Sequence, residues 1–356
     1  MATRRGFLIG LAAAGAVPRI GWAAVGSPAY LAAAREADGT FTLYGLSTDG
    51  IAKFRVPLPA RGHAGAAHPI RAEAVAFARR PGQFALVIDC ATGAVRHSLI
   101  PPERRQFNGH GVFAAGGDLL FTSEQARDTS QGIIGIWDAA AGYARIGEFP
   151  SGGIGPHDLR LMPDGQTLVV ANGGIATDPS DRTKLNIPTM RPNLGYLTLS
   201  GTLVDRVELS PDLQQNSIRH LAVHCDGLVA FAMQWEGQPG MAPPLVALHR
   251  RGQAPMLAEA PLADEIAMQG YAGSIAFCGD GSEVAITSPR GGRVHRFGID
   301  GAFLGAVGRA DVCGLAARAG GYLASDGLGG LVAVAPSGLI ALARHDCAWD
   351  NHIIPV

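Results

Sequence analysis

The sequence has few aromatic side chains, few charged side chains and almost no net charge. Aromatic residues make up 6% and charged residues 17% of the 356 residues, and the formal net charge is -1. A nucleic-acid-binding surface needs a surplus of lysine and arginine, so this balance argues against a nucleic-acid partner. Beyond the N-terminus no segment reaches the ~20 consecutive apolar residues of a membrane helix, and we expect no stable membrane span after signal removal.

Cysteine is also scarce, and the familiar cysteine and catalytic motifs are missing. The sequence contains no CxxC and no CxxCH, which argues against a zinc ribbon and against c-type haem. It also lacks GxSxG, HExxH, a P-loop and a GxGxxG that opens a helix. We therefore assign no catalytic residue, and favour the interpretation that the protein is not an enzyme. The disulfide pairing stays open among the five cysteines, which are Cys90, Cys225, Cys278, Cys313 and Cys347.

Glycine and proline, by contrast, are abundant. The 49 glycines and 23 prolines make up about a fifth of the chain, above the ~12% that is usual. Several short apolar runs are separated by Asp-Gly pairs, which favour two-residue hairpin turns. The sequence therefore predicts an all-β protein built from many short strands.

The first 23 residues have the features of an export signal. Arg4 and Arg5 follow Thr3 and precede Phe7 and Leu8, and a weakly hydrophobic run rich in alanine and glycine comes next. A basic start, a short apolar region and a small-residue exit are typical of a signal peptide. The arginine pair closely resembles the twin-arginine export signal. We expect a periplasmic protein whose residues 24–356 form the mature domain.

A degenerate repeat occurs seven times along the chain. Each copy begins with a polar or small residue, followed by an apolar run, a turn with Asp-Gly or Gly-Gly, and a second apolar run. The copies start 39 to 63 residues apart, which matches the four-stranded blades of a β-propeller. The openings are His63, His110, His157, His220, Ser274, Cys313 and His352.

The two ends of the chain are incomplete in complementary ways. Residues 30–58 predict three strands that lack an inner strand, and the terminal HIIPV predicts one inner strand that lacks partners. Together they make a seventh blade, and closing the ring removes exposed sheet edges. We therefore predict a single seven-bladed β-propeller, since a pair of β-sandwiches would not explain these ends. Residues 176–194 are predicted to form a surface insertion between strands.

The repeat places chemically useful side chains at equivalent positions around the channel of the propeller. Five of the seven openings are histidines, and converging imidazoles are suitable ligands for copper, zinc or iron. Asp158 and Asn351 lie beside two of these histidines and can support them by hydrogen bonds. Arg219 precedes His220 and can instead bind an anion. The predicted metal ligands are His63, His110, His157, His220, His352 and Cys313.

Other interpretations of these channel residues stay open. Histidines line the channels of many propellers without binding metal, and the site can instead take a small anionic or organic ligand. Cys313 can supply a soft ligand that selects copper, or form a disulfide with Cys347 in the oxidising periplasm. Cys225 and Cys278 are predicted to be buried thiols that are possible partners, and Cys90 a lone thiol.

Several longer motifs resemble a known bacterial family. The motifs RRPGQFALVID, NGHGVFAAGGDLLFTSEQ, GIGPHDLRLMPDGQTLVVANGGIATDP, SIRHLAVHCDGLVAFAMQ and the terminal WDNH look like those of twin-arginine-exported proteins called domain of unknown function 1513. This family is similar to YVTN and nitrous-oxide-reductase-like propellers. The resemblance covers nearly all of the mature chain and implies a seven-bladed propeller in the periplasm.

The resemblance implies no known activity. Family members often lie near genes for imelysin-like and di-haem peroxidase-like periplasmic proteins linked to iron acquisition, which suggests such proteins as partners. Nitrous-oxide reductase holds a copper–sulfide cluster at its propeller, but this chain lacks that enzyme's paired histidines and cupredoxin domain. The resemblance therefore does not imply that this chain catalyses the reaction of nitrous-oxide reductase.

Three functions follow from these observations. The leading hypothesis is a periplasmic propeller that binds a transition metal, or a metal-bearing ligand, and acts in metal uptake or redox handling. The second is a cofactor-free interaction scaffold of an iron-related system. The third is a lactonase-like hydrolase, which we expect least because the repeat openings contain no carboxylate.

Overall fold

The computed structural model describes residues 20–79, 82 and 84–356, and it confirms the predicted seven-bladed β-propeller. The described residues form 28 strands in seven four-stranded antiparallel sheets. The arginine pair of the predicted signal lies outside the described residues. Residues 22–25, on either side of the predicted signal boundary, form a 3-10 turn. The indole of Trp22 in this turn donates a hydrogen bond to the carbonyl of His68.

The first four blades follow the order of the chain. Blade 1 comprises β28 (Cys347–Pro355), β1 (Tyr30–Glu36), β2 (Phe41–Leu46) and β3 (Ala52–Leu58). Blade 2 comprises β4 (Gly62–Ala67), β5 (Glu73–Ala78), β6 (Ala85–Asp89) and β7 (Ala94–Leu99). Blade 3 comprises β8 (Arg105–Phe113), β9 (Leu119–Ala126), β10 (Gln131–Asp138) and β11 (Ala144–Ile154). Blade 4 comprises β12 (Pro156–Leu161), β13 (Thr167–Asn172), β14 (Asn193–Thr198) and β15 (Leu203–Glu208).

The remaining three blades complete the ring, and helices are few. Blade 5 comprises β16 (Asn216–Val223), β17 (Val229–Trp235), β18 (Val246–His249) and β19 (Met256–Ala258). Blade 6 comprises β20 (Ser274–Phe277), β21 (Glu283–Ser288), β22 (Arg293–Gly298) and β23 (Phe303–Gly308). Blade 7 comprises β24 (Val312–Arg318), β25 (Gly321–Asp326), β26 (Gly330–Ala335) and β27 (Gly338–Arg344). The helical segments are α1 (Leu262–Ala267) and the 3-10 turns Trp22–Val25, Ile187–Thr189 and Pro211–Leu213.

Blade 1 joins the two ends of the chain. The C-terminal strand β28 pairs antiparallel with β1, with Tyr30 opposite Pro355 and Glu36 opposite Cys347. The innermost strand of this blade therefore comes from the end of the sequence and its three outer strands from the beginning. The pairing of β28 with β1 therefore joins the two ends of the chain in one sheet.

The hydrophobic core lies between neighbouring blades. Phe77 of blade 2 packs against Phe107 and Trp137 of blade 3, and all three side chains are buried. The outermost strands show a different pattern, since five of the six residues of β7 are exposed. Buried faces between blades and solvated outer strands explain why the apolar runs of the sequence are short and numerous. Of the described helices, none has the length and apolar character needed to cross a membrane.

Three details differ from the sequence-based expectations. Cys225 is exposed rather than buried, because it lies in the turn between β16 and β17. Cys347 lies opposite Glu36 in blade 1 and packs against apolar residues of blades 1 and 7, so it forms no disulfide with Cys313. All five cysteines are free. The insertion of blade 4 spans residues 173–192, because β14 already begins at Asn193.

Candidate metal centre

The inner strands are irregular where they face the channel. The register of their pairing shifts in β4, β8, β12, β16, β24 and β28, while β20 stays regular. Each shift lies at or directly beside the residue that opens the repeat. A bulge of this kind re-aims a side chain out of the ordinary alternation of a strand. The five histidines that open repeats therefore point toward the axis, although they lie inside their strands rather than at the rim.

Hydroxyl side chains of second strands fix these bulges. The Oγ of Ser123 in β9 lies 3.2 Å from the backbone carbonyl of His110 and 3.2 Å from that of His157. It therefore ties the bulge of its own blade to the bulge of the next blade. In blade 6, the hydroxyl of Thr287 likewise donates to the carbonyl of Cys313.

The five predicted histidines meet on the channel axis. The ring of His110 lies 5.0 Å from that of His63, 4.8 Å from His157, 5.9 Å from His220 and 4.9 Å from His352, measured between centroids. These five imidazoles, which we call the histidine layer, come from five different blades. Their convergence depends on the ring closure, because His63 and His352 are 289 positions apart and only 4.8 Å separates their ring centroids.

Two groups of three ring nitrogens are close enough to share an ion. In each group the donor atoms all lie within 4.8 Å of one another. One group is His63, His110 and His352, and the other is His110, His157 and His220. His110 belongs to both groups, so it is the central donor of the layer.

Several ring nitrogens of the layer have no partner among the described residues. These buried atoms are Nε2 of His110, Nδ1 of His157, Nδ1 of His220 and Nε2 of His352. A buried polar atom is usually hydrogen-bonded, and each exception needs an explanation such as an ion or a water. Four such atoms in one layer make it the most concentrated set of unsatisfied donors and acceptors among the described residues.

Three imidazoles of the layer are held in the neutral form that binds metals. Burial, reinforced by the neighbouring imidazoles, lowers the pKa of His157, His220 and His352 well below 6.5. A neutral imidazole keeps the lone pair that a metal ion needs. These three imidazoles therefore offer nitrogen ligands at neutral pH without first releasing a proton.

A buried carboxylate supports the layer. Asp158 accepts hydrogen bonds from the backbone N–H groups of Leu159 at 2.9 Å and Leu221 at 3.0 Å, and from the guanidinium of Arg160 at 3.2 Å. Its Oδ1 also lies 3.2 Å from Nδ1 of His110. Burial alone raises the pKa of this carboxyl, but Arg160 and His110 hold it well below its usual range. Asp158 is therefore an anion that lies against the ring of His110.

The histidine layer separates two chambers of the channel. A chamber of about 330 Å³ lies along the later residues of the inner strands and is mostly apolar, with Leu221, Ile275, Phe277 and Ile353 in its wall. A second chamber of about 170 Å³ lies on the side of the residues that precede the histidines. His220 borders both. We call the second space the polar chamber.

The remaining sequence-predicted site residues divide between these places. Arg219 and Asn351 line the polar chamber. Cys313 is buried near the channel but belongs to neither group of metal-ligating atoms. Burial raises the pKa of its thiol, and its Sγ packs close to Gly273.

A known protein family matches most of the chain. The family model described as "Protein of unknown function (DUF1513)" matches residues 56–356. The chain belongs to this family. No curated protein matches the sequence.

Solved structures show the same fold at low sequence identity. Kuenenia stuttgartiensis hydrazine synthase is similar with a TM-score of 0.60 and 14% identity, over 86% of this chain and 89% of that chain. The Myceliophteria thermophila Cps50 (Swd1) β-propeller domain is similar with a TM-score of 0.52 and 18% identity, over 76% and 80%. A chain of the Mitotic Checkpoint Complex is similar with a TM-score of 0.56 and 10% identity, over 80% and 77%. At these identities the likeness concerns the fold alone.

Several channel residues were missed by the sequence analysis. Asn108 precedes His110 by two positions and lines the polar chamber. Tyr271 and Arg79 line this chamber as well. Arg182 and Lys184 reach the same chamber from the insertion of blade 4. The repeat could have indicated Asn108, because Arg219 and Asn351 also lie shortly before a histidine that opens a repeat. No repeat signal marks the residues of the insertion.

Proposed function

We propose that this family member binds one transition-metal ion in the histidine layer and acts in metal uptake or redox handling. The observation that carries the proposal is the convergence of five imidazoles, of which four have a buried ring nitrogen without a partner among the described residues. Copper, zinc and iron are the ions that accept such nitrogen ligands readily.

The closely spaced donor atoms limit which residues can coordinate the ion. Only nitrogen atoms make up the two groups of closely spaced donors, and both groups contain His110. Three imidazoles leave a coordination position open for a further ligand, as in metal sites that bind or exchange small molecules. The choice between the two groups decides whether His63 and His352 or His157 and His220 complete the set.

Asp158 has a positioning role in this proposal. A histidine ligand usually donates its second N–H to a carboxylate, which fixes the tautomer and the ring orientation. The contact of Asp158 with Nδ1 of His110 leaves Nε2 as the ring nitrogen without a partner among the described residues. His110 therefore binds the ion through Nε2, and the carboxylate compensates part of the charge.

Export through the twin-arginine route is part of the proposal. That route carries folded proteins, so a metal can be inserted before the protein reaches the periplasm. Arg4→Lys together with Arg5→Lys removes the features that the export receptor reads. We expect this variant to stay in the cytoplasmic fraction, and its normal appearance in the periplasm would contradict this part of the proposal.

Metal analysis tests the main claim. The protein is purified without a histidine tag, and bound copper, zinc and iron are measured before and after extended dialysis. We expect close to one retained ion per chain in the wild type and its loss in His110→Gln, because His110 belongs to both donor groups. His97→Gln is the matched control, since His97 lies on the exposed strand β7.

Variants of single histidines distinguish the two donor groups. His63→Gln and His157→Gln each disturb one donor group, so the variant that loses the ion identifies the group in use. Metal that is lost on dialysis equally from the wild type and from His110→Gln would contradict the proposal and favour the interaction scaffold.

A further inference from the structure

The polar chamber is strongly cationic. Arg79, Arg182, Lys184 and Arg219 line it. Two carboxylates outside its wall offset part of this charge: Glu236 contacts Lys184 and lies 3.8 Å from Arg219, and Asp350 lies 3.9 Å from Arg79. Four cations therefore face two carboxylates at a cavity that borders the histidine layer, and the surplus favours an anionic ligand.

Arg219 is a largely buried cation of this chamber that makes no hydrogen bond to the described residues. Its side chain is only 13% exposed. The separation of 3.8 Å from Glu236 is too long for a hydrogen bond. Burial lowers the pKa of this side chain, which shows that its environment opposes the charge. A planar guanidinium with free donors is suited to bind a carboxylate through two parallel hydrogen bonds.

Asn108 supplies the complementary group. It is fully buried and lines the polar chamber, and its Nδ2 donates to the carbonyl of Pro156 at 2.7 Å. This bond fixes the orientation of the amide, since a flipped amide would place its oxygen against that carbonyl. The Oδ1 of Asn108 is then an acceptor without a partner among the described residues. It needs a ligand that carries a hydrogen-bond donor.

We propose that the polar chamber binds a small hydroxycarboxylate, with a carboxylate group on Arg219 and the hydroxyl group donating to Asn108. The volume of about 170 Å³ suits an organic anion of a few carbon atoms. The insertion of blade 4 adds Arg182 and Lys184 at the same chamber, so a second carboxylate also finds cations there.

The position of the chamber connects this ligand to the metal. His63, His157 and His220 border the polar chamber directly. A hydroxycarboxylate binds metal ions through its oxygens, so it can fill the open coordination position of an ion in the histidine layer. This inference rests on the proposed function for that last step only, because recognition by Arg219 and Asn108 needs no metal.

Calorimetric titration of metal-free protein tests the inference. Malate is the first probe, succinate differs from it only by lacking the hydroxyl, and inorganic phosphate tests for a general anion site. We expect saturable binding of malate, and binding of succinate that is roughly 10-fold weaker because the hydrogen bond to Asn108 is lost. Phosphate is expected to bind more weakly than malate as well.

Variants assign the binding to the chamber. Arg219→Met keeps the length of the side chain and removes its charge, so we expect malate affinity to fall at least ~10-fold. The melting temperature should change little, because Arg219 makes no hydrogen bond to the described residues and Glu236 keeps its contact with Lys184. Arg182→Met and Lys184→Met, at exposed positions, are further variants that should weaken malate without affecting folding. Arg96→Met on the exposed strand β7 is the matched control and should bind like the wild type.

Several results would overturn the inference. Malate that shows no saturation up to about 10 mM would contradict it, since that concentration corresponds to very weak binding. Equal affinities for malate, succinate and phosphate would reduce the chamber to an unspecific anion site. Unchanged malate affinity in Arg219→Met would place the binding elsewhere. Because the protein is metal-free throughout, none of these results bears on metal binding in the histidine layer.

Discussion

The Nδ1 atom of His110 lies 3.2 Å from the Oδ1 atom of Asp158, and the two residues come from the inner strands of neighbouring blades. Both side chains are almost fully buried. The contact involves His110, the central donor of the histidine layer. Its partner Asp158 is the only carboxylate among the described residues that lines the mostly apolar chamber of about 330 Å³. Loss of this contact would therefore disturb both the hydrogen bonds between inner strands and the orientation of the His110 ring.

Replacing this carboxylate should destabilise the protein. Asp158→Asn places a neutral amide where four donors converge, and some of them lose their acceptor. We expect the free energy of unfolding of the metal-free protein to fall by about 3 kcal/mol, the range typical for breaking a buried charged network. Urea unfolding followed by fluorescence measures the change.

The matched control for this change is Asp212→Asn. Asp212 is exposed in the 3-10 turn before β16, so its replacement should leave the urea midpoint unchanged. If Asp158→Asn were as stable as this control, the network around Asp158 would contribute little. The positioning role assigned to this carboxylate would then be wrong.

The stability of the protein should depend on pH through His295, a buried residue outside the histidine layer. His295 is fully buried beside Phe303, neither ring nitrogen has a partner among the described residues, and burial lowers its pKa from 6.5 to about 4. Between these pH values the unfolded chain binds a proton that the folded chain excludes. Stability should therefore fall as the pH falls from 6.5 to 4, by about 1.4 kcal/mol per pH unit from this residue.

The variant His295→Leu isolates this contribution. It removes the titrating group and two unpaired ring nitrogens, so we expect higher stability at pH 7 and a shallower loss toward pH 4. Urea midpoints at several pH values measure both effects. His97→Leu, at an exposed position on β7, should keep the wild-type slope. An identical slope in His295→Leu would show that this imidazole is already protonated in the folded protein.

Cys313 should be dispensable for metal binding. Its thiol lies outside both groups of closely spaced donors, and burial raises its pKa, which disfavours the thiolate that binds metals. We expect Cys313→Ala to retain the metal content of the wild type when both are purified in parallel. A variant that loses its metal while its melting temperature is preserved would make Cys313 a ligand after all.

The sequence predicted the ring because its signals are repeated and local. Short apolar runs, Asp-Gly turns such as Asp164-Gly165, and a histidine at the same offset in several copies are all visible without contacts. The two-residue turn expected there is nevertheless wrong: residues 162–166 separate β12 from β13, Gly165 has a positive φ while Asp164 does not, and the Asp164 carboxylate accepts hydrogen bonds from the backbone N–H groups of Gln166 and Thr167. Seven similar units leave few ways to bury their apolar faces other than a closed ring.

The details of the site could not be predicted in the same way. Whether a channel residue joins the layer depends on a bulge, and the regular strand β20 leaves Ser274 outside it while bulged β8 brings His110 to its centre. Cys313 is also bulged, yet its thiol packs against Gly273. The cations Arg182 and Lys184 come from an insertion that has no counterpart in the other repeats, so no pattern marks them.

Anomalous X-ray diffraction from crystals grown with one equivalent of copper or zinc tests the central claim most directly. Data collected on both sides of the absorption edge of the metal locate the ion without assumptions about its ligands. We predict one strong peak in the histidine layer, ~2.0–2.1 Å from Nε2 of His110 and from the ring nitrogens of two further histidines of the layer. A layer without a peak, or a peak only at surface residues, would contradict the account.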